Sequence, residues 1–262
     1  MRCPMSLSTA PAAKALRWAA VIVALMSGAR IAQGAEMTVA AASSLSNAFK
    51  EMAPAFEAQH PGTQLLFNFA ASDALLAQIA KGAHIDVFAS ADQDAMDRAE
   101  AQQLVQAHSR LNFAGNTLVL ITPITSTLTL KTLSDLKKPE VAHLAMGMPE
   151  GVPAGRYAKS ALEVAGLWST LSPKALYARN VRQALDHVAR GEAEAGFVYS
   201  TDAASLKRRV KVAFPVPTYA PIHYPAAVVA GSPNAERARQ FINYLRSSAG
   251  QAVLTRHGFL PP

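Results

Sequence analysis

The stretch Met37-Thr38-Val39-Ala40-Ala41-Ala42-Ser43-Ser44-Leu45-Ser46-Asn47-Ala48 changes period part-way along. Its first five residues form a short, largely apolar run of the kind a buried strand carries. From Ser44 onward, Leu45, Ala48, Phe49, Met52 and Phe56 fall on one helical face. A strand that passes through small and hydroxyl residues straight into a helix is the unit of α/β architecture. The same reading extends outward. Residues 64–69 read as a second strand, and a helix over 72–81 buries Leu75, Leu76 and Ile79 before Gly82 stops it. Ile85-Asp86-Val87-Phe88 is a third strand, followed by a polar helix from about Asp92. Further strands are expected at 118–122, 141–147, 195–199, 210–214 and 226–230. Helices are expected at 155–166, just after Asn180, at 233–248 and at 251–256. Pro54 should kink or end the first helix, since a mid-helix proline costs roughly 3 kcal/mol. The alternation predicts mostly parallel sheets.

Residues 1–35 read as a secretory signal peptide. Arg2, Lys14 and Arg17 precede a nine-residue apolar run from Trp18 to Met26, and Ala32-Gln33-Gly34-Ala35 supplies the small residues of a cleavage site near 34/35. Arg30 interrupts the segment, and the run is far short of the roughly 18 residues of a membrane anchor. The mature product is therefore expected to be soluble and exported, not membrane-inserted. This changes the arithmetic of the chain. Its 262 residues carry a net charge of +7, but the leader holds four basic residues and no acid, which leaves +3, and it takes the lone cysteine, Cys3, with it. A charge of +3 argues against a nucleic-acid partner, and Lys207-Arg208-Arg209 reads as a solvated surface element. Half of the residues are hydrophobic, which excludes a long disordered chain. One cysteine excludes a disulfide framework or a cysteine zinc site.

Enzyme signatures are weak or absent. There is no His-Glu-x-x-His, Gly-x-Ser-x-Gly or Gly-Lys-Ser/Thr phosphate loop. The seven histidines are scattered, and Asp92, Asp94 and Asp97 suit the first turns of a helix better than a metal. Four junctions stand out instead: Ala42-Ser43-Ser44, Ala70-Ala71-Ser72, Val152-Pro153-Ala154-Gly155 and Arg179-Asn180-Val181. A helix N-terminus offers unpaired N–H groups and partial positive charge, a ready anion site. For each serine taken singly, capping of its own helix is the plainer reading. For Tyr199, a core tyrosine with a local hydrogen bond is the plainer one.

The mature chain resembles the periplasmic molybdate-binding proteins, the substrate-capturing components of molybdate/tungstate ABC importers. The resemblance covers nearly all of residues 36–260. It rests on Val39 to Ala48 as quoted above, Phe69-Ala70-Ala71-Ser72, Asp86-Val87-Phe88-Ala89-Ser90-Ala91-Asp92 and Pro149-Glu150-Gly151-Val152-Pro153-Ala154-Gly155-Arg156-Tyr157-Ala158-Lys159. Leu171-Ser172-Pro173-Lys174, Asn180-Val181-Arg182 and Gly196-Phe197-Val198-Tyr199-Ser200-Thr201-Asp202-Ala203 complete it. It implies a type II periplasmic binding protein fold of two α/β lobes, each a mostly parallel sheet flanked by helices. Residues 36–114 plus 228–262 would form the first lobe and 115–227 the second. Two crossing strands, near 111–118 and 224–229, would join them. It also implies a monomer with no cofactor and no free metal, located in the periplasm. The oxyanion would sit in the cleft, and a membrane permease would receive it. Molybdate or tungstate would be held by the hydroxyls of Ser44 and Ser72, the backbone N–H groups of Ala154 and Val181, and the phenol of Tyr199.

One departure bears on selectivity. Asp73 stands where the family commonly has a small hydroxyl residue, and a carboxylate near the site would repel a dianion or accept the proton of hydrogen phosphate. Sulfate or phosphate is therefore the alternative ligand. The plainer reading is that Asp73 faces solvent and favours its helix start. Arg156 and Arg182 follow two of the expected donors by one or two residues; they would either supply long-range positive potential to the site or be simple surface residues, the latter being the plainer reading. A hydrolase or transferase using Ser44 or Ser72 lacks a base signature. A ligand-sensing regulator would need a further domain, for which two lobes leave no length.

Overall fold

The computed structural model describes residue 1 and residues 35–262, so the signal-peptide reading falls on residues outside those described. The period change that opens the mature chain is a real boundary. Strand β1 (Ala35–Ala42) runs through a single 3-10 turn, Ser43–Leu45, into helix α1 (Ser46–Gln59). Pro54 lies inside α1 and does not end it. Pro54 itself is exposed, while Phe49, Met52 and Phe56 are buried on the opposite face. Phe49 and Phe56 meet Phe241 edge-on, with ring centroids 5.6 and 5.2 Å apart, and this packing carries the helix past its weak point.

The order continues with β2 (Thr63–Ala70), α2 (Ser72–Ala80), β3 (Val87–Ala89), α3 (Gln93–Ala101), β4 (Leu111–Asn116), β5 (Leu118–Pro123) and β6 (Leu144–Gly147). Then come α4 (Pro153–Val164), the short α5 (Trp168–Leu171), β7 (Ala175–Ala178), α6 (Val181–Ala189), β8 (Ala195–Tyr199), α7 (Ser200–Ser205) and β9 (Val210–Pro215). Strand β10 (Ile222–Val228) and helices α8 (Ala235–Arg246) and α9 (Ser248–Arg256) close the chain. Among the described residues no helix is long and apolar enough to cross a membrane.

Two five-stranded sheets result, ordered β2-β1-β3-β10-β4 and β7-β6-β8-β5-β9. They are built alike. In the first, β2, β1 and β3 are parallel and β10 alone runs the other way. In the second, β7, β6 and β8 are parallel and β5 is the reversed strand. The sheets are thus mixed, and the reversed strand of each follows directly from a crossing between them. Only Thr117 separates β4 from β5, and residues 216–221 lead from β9 to β10. The second crossing therefore precedes Tyr224, where the sequence placed it later. Ile222 to Ala226 pair with β4, so that stretch already belongs to the first sheet. Helices flank both sheets, which makes this the two-lobe type II fold.

The tightest helix-on-strand seat lies in the second lobe, where α4 meets the end of β6. A Cβ placed on Gly155 would lie 2.1 Å from the Gly147 carbonyl oxygen, and one on Gly147 would lie 2.4 Å from Val152 Cγ1. Two glycines therefore let backbone meet backbone and bring the first turn of α4 against the strand end. Gly155→Ala is expected to cost about 1–3 kcal/mol through overpacking. This would lower the denaturant midpoint without changing the slope; an unchanged midpoint would show that helix and strand are not pressed together there.

Candidate functional site

The four junctions converge. Ser44 lies in the 3-10 turn after β1, and Ser72 is the first residue of α2 after β2. Ala154 is the second residue of α4, and Val181 the first of α6. Tyr199 ends β8. All five line one small buried cavity, together with Ala91, Val152 and Pro153. The lining is almost fully buried, with Ser44 2% exposed, Ser72 0% and Tyr199 1%.

Local sequence explains why donors face this space. Pro153 has no N–H, so the first donor of α4 is Ala154. Asn180 caps α6 by accepting the Gln183 N–H at 3.0 Å, which leaves Val181 among the orphan donors of the first turn. The serines do not act as caps. The N-cap positions fall on Ala42, Leu45 and Ala71, so the capping reading of Ser44 and Ser72 does not hold. Ser72 Oγ instead accepts the Ala91 N–H at 3.0 Å, and Ser44 Oγ lies 3.0 Å from Tyr224 Oη. Tyr199 Oη donates to the Ala91 carbonyl at 3.3 Å, a bond to a residue 108 positions away and not a local one. Burial pushes the Tyr199 phenol well above the usual tyrosine value, so it keeps its proton.

The charged residues around the cavity depart from expectation. Asp73 does not face solvent: Arg156 Nη1 donates to its Oδ2 at 2.6 Å, and Arg98 also holds it. Arg156 is no free surface residue either. From α4 it reaches the first lobe, where Nη2 lies 2.5 Å from Asp92 Oδ2 and Nε donates to the same oxygen at 3.0 Å. Burial raises the Asp92 pKa, and the Arg156 charge works against that shift. Arg182 of α6 likewise donates to the Ser44 carbonyl at 3.3 Å and to Asn47 Oδ1 at 3.1 Å. Its Nε forms an ion pair at 2.6 Å with Asp202, which is fully buried. Two arginines of the second lobe, each within two residues of an expected donor, thus reach across to the first lobe. Long sequence separation hid these pairs, and no spacing in the sequence points to them. Among the described residues there is no cluster of His, Cys, Asp and Glu able to hold a metal ion.

Over residues 37–260 the chain matches the family model described as bacterial extracellular solute-binding protein. It is 39% identical over 240 residues to the molybdate-binding protein ModA of Escherichia coli K12, covering 89% of this chain and 92% of that one. Its structure is similar to that of the periplasmic molybdate-binding protein of Azotobacter vinelandii, with a TM-score of 0.76 and 25% identity over 86% of this chain and 99% of that one. The sulfate-binding protein SubI of Mycobacterium tuberculosis H37Rv also gives 0.76, at 18% identity over 86% of each chain. That second likeness is one of fold alone.

The buried ion pair gives a pH signature. Burial pushes the Asp202 carboxyl up to about 6, and Arg182 only partly counters it. Between about pH 4 and 6 the folded state then holds a proton that the unfolded state, with an ordinary aspartate pKa near 3.9, has released. The stability from this group is present below about pH 4 and is lost as pH rises through 6. Asp202→Asn removes the titration but keeps an acceptor for the Tyr199 N–H. Its unfolding free energy should gain about 1–3 kcal/mol on the parent between pH 4 and 7, read from denaturation curves of the ligand-free mature protein. Parallel pH profiles would contradict the assignment.

Proposed function

The chain belongs to the bacterial extracellular solute-binding protein family, and we propose that it captures molybdate, and also tungstate, in the cavity lined by Ser44, Ser72, Ala154, Val181 and Tyr199. As a binding protein and not an enzyme, it would deliver the ion in the periplasm to the membrane permease of an ABC importer. The observation that carries this reading is that five residues bearing hydroxyl or N–H donors, from both lobes, line one buried cavity; the Tyr199 proton, given to the Ala91 carbonyl in this structure, would turn to the ion. Molybdate is a dianion at neutral pH with no proton to give, so its site has to be built of donors. Each charge-assisted hydrogen bond contributes roughly 1.5–3 kcal/mol, and the field of a helix N-terminus adds to it. Neutral donors bind without a directly paired cation, which keeps release to the permease within reach.

Selectivity against the smaller sulfate would come from cage size. Donors fixed by backbone cannot contract to keep every bond to a smaller ion. Phosphate was favoured only by Asp73, and Arg156 and Arg98 engage that carboxylate. A hydrogen phosphate would therefore bring a proton into a cavity that offers it no free carboxylate.

Calorimetry of the mature protein with molybdate, tungstate, sulfate and phosphate tests this reading. Micromolar or tighter binding of molybdate and tungstate is expected, with sulfate and phosphate far weaker. Tight sulfate or phosphate binding without a molybdate response would overturn it. Ser44→Ala combined with Ser72→Ala removes two charge-assisted donors and should weaken molybdate by roughly a hundredfold or more. Unchanged affinity in a folded double variant would place the site elsewhere.

A further inference from the structure

A serine hydroxyl can donate or accept, and only one of these serves a proton-free dianion. At Ser44 the surroundings decide which. Asn116 ends β4 at the one-residue crossing between the lobes, and its side chain is held from both ends. Its Oδ1 accepts the Thr117 N–H at 2.9 Å and the Ser200 hydroxyl at 3.0 Å. A backbone N–H can only donate, so that end of the amide must be the oxygen. Asn116 Nδ2 then faces Thr201 Oγ1 at 3.0 Å and Tyr224 Oη at 3.2 Å. An amide nitrogen only donates, so Tyr224 Oη accepts there. Tyr224 is fully buried and keeps its proton, burial having raised its phenol well above the usual value. That proton goes to the other neighbour, Ser44 Oγ, 3.0 Å away. Ser44 thus accepts from Tyr224, and its own proton is left for the cavity. A backbone donor does the same for Ser72, where the Ala91 N–H occupies the hydroxyl oxygen.

We propose that Asn116 and Tyr224 are positioning residues which, through a one-way chain of hydrogen bonds from the crossing strand, turn the Ser44 hydroxyl proton toward the bound oxyanion. Neither residue lines the cavity. Both act through Ser44, and the chain ties its donor polarity to the backbone N–H of the residue that joins the lobes. The proposal rests on the reading of the cavity as a molybdate site.

A double-mutant cycle read by molybdate calorimetry tests it, using the mature wild type, Tyr224→Phe, Ser44→Ala and the double variant. Tyr224→Phe should weaken molybdate roughly tenfold or more, and Ser44→Ala by at least as much. The double variant should lie within about twofold of Ser44→Ala alone, because residues that act through one another are not additive. Unchanged affinity in Tyr224→Phe would overturn the proposal. So would a loss of equal size in the Ser44→Ala background, since that is what a packing role gives.

If melting curves show that Tyr224→Phe does not fold, Asn116→Asp supplies the same cycle. The new carboxylate would accept the Tyr224 proton, so Tyr224 would accept from Ser44 and a serine lone pair would face the anion. The loss should exceed tenfold and shrink in the Ser44→Ala background to that of the added charge alone. Equal losses in both backgrounds would overturn the proposal. A wild type that fails to bind molybdate would overturn the reading of the cavity, and this proposal with it. That outcome is distinct from wild-type binding with an additive cycle.

Discussion

A tetrahedral dianion without a proton can only accept hydrogen bonds, so every polar group that meets it must donate. If the cavity is the oxyanion site proposed above, much of the structure around it answers that constraint. Helix first turns supply N–H groups that the helix itself cannot use. Small residues at 42–44, 70–72 and 152–155 keep side chains from covering them. Gly147 and Gly155 let α4 seat directly on its strand, so that the Ala154 N–H is held by backbone and not by a flexible side chain. The two serines are bound to fixed donors, Tyr224 and the Ala91 N–H, and so have their protons free.

Charge is arranged to stay out of direct contact. Arg156 and Arg182 both come from the second lobe and both reach the first, yet neither is among the residues lining the cavity. Each is matched by carboxylates: Asp73 and Asp92 for Arg156, Asp202 for Arg182. Pairing neutralises carboxylates that would repel a dianion; the Arg156 pairs bridge the lobes, whereas Arg182 and Asp202 both belong to the second. On the proposed reading, selectivity falls to oriented dipoles and cavity size, which agrees with the modest charge of +3 left if residues 1–35 are removed as the sequence suggests.

How much of this was legible depends on whether the signal was local. The α/β alternation and the four junctions could be read because each is a change of period or a cluster of small residues within ten positions. The five cavity residues came from resemblance to a family, since spacing alone cannot show that separate junctions converge. Arg156 lies 64 residues from Asp92 and 83 from Asp73, and Arg182 lies 138 from Ser44. No helix face or turn pattern connects them, so both read as surface residues. Asn116 and Tyr224 were hidden in the same way, as polar positions in strands whose partners, the adjacent Thr117 apart, are 84 to 180 residues away.

A crystal structure of the mature protein soaked in molybdate puts the oriented-donor cage to its most direct test. A second, more basic pocket borders the same serine: Ser44, Asn47, Arg182, Arg256 and His257 line a larger space next to the cavity. If oriented neutral donors select the ion, molybdate will sit in the smaller cavity. Its oxygens will then lie within about 3 Å of Ser44, Ser72, Tyr199 and the N–H groups of Ala154 and Val181, with no arginine in contact. An anion seated against Arg256, His257 or Arg182 would contradict it and show that net positive charge does the selecting.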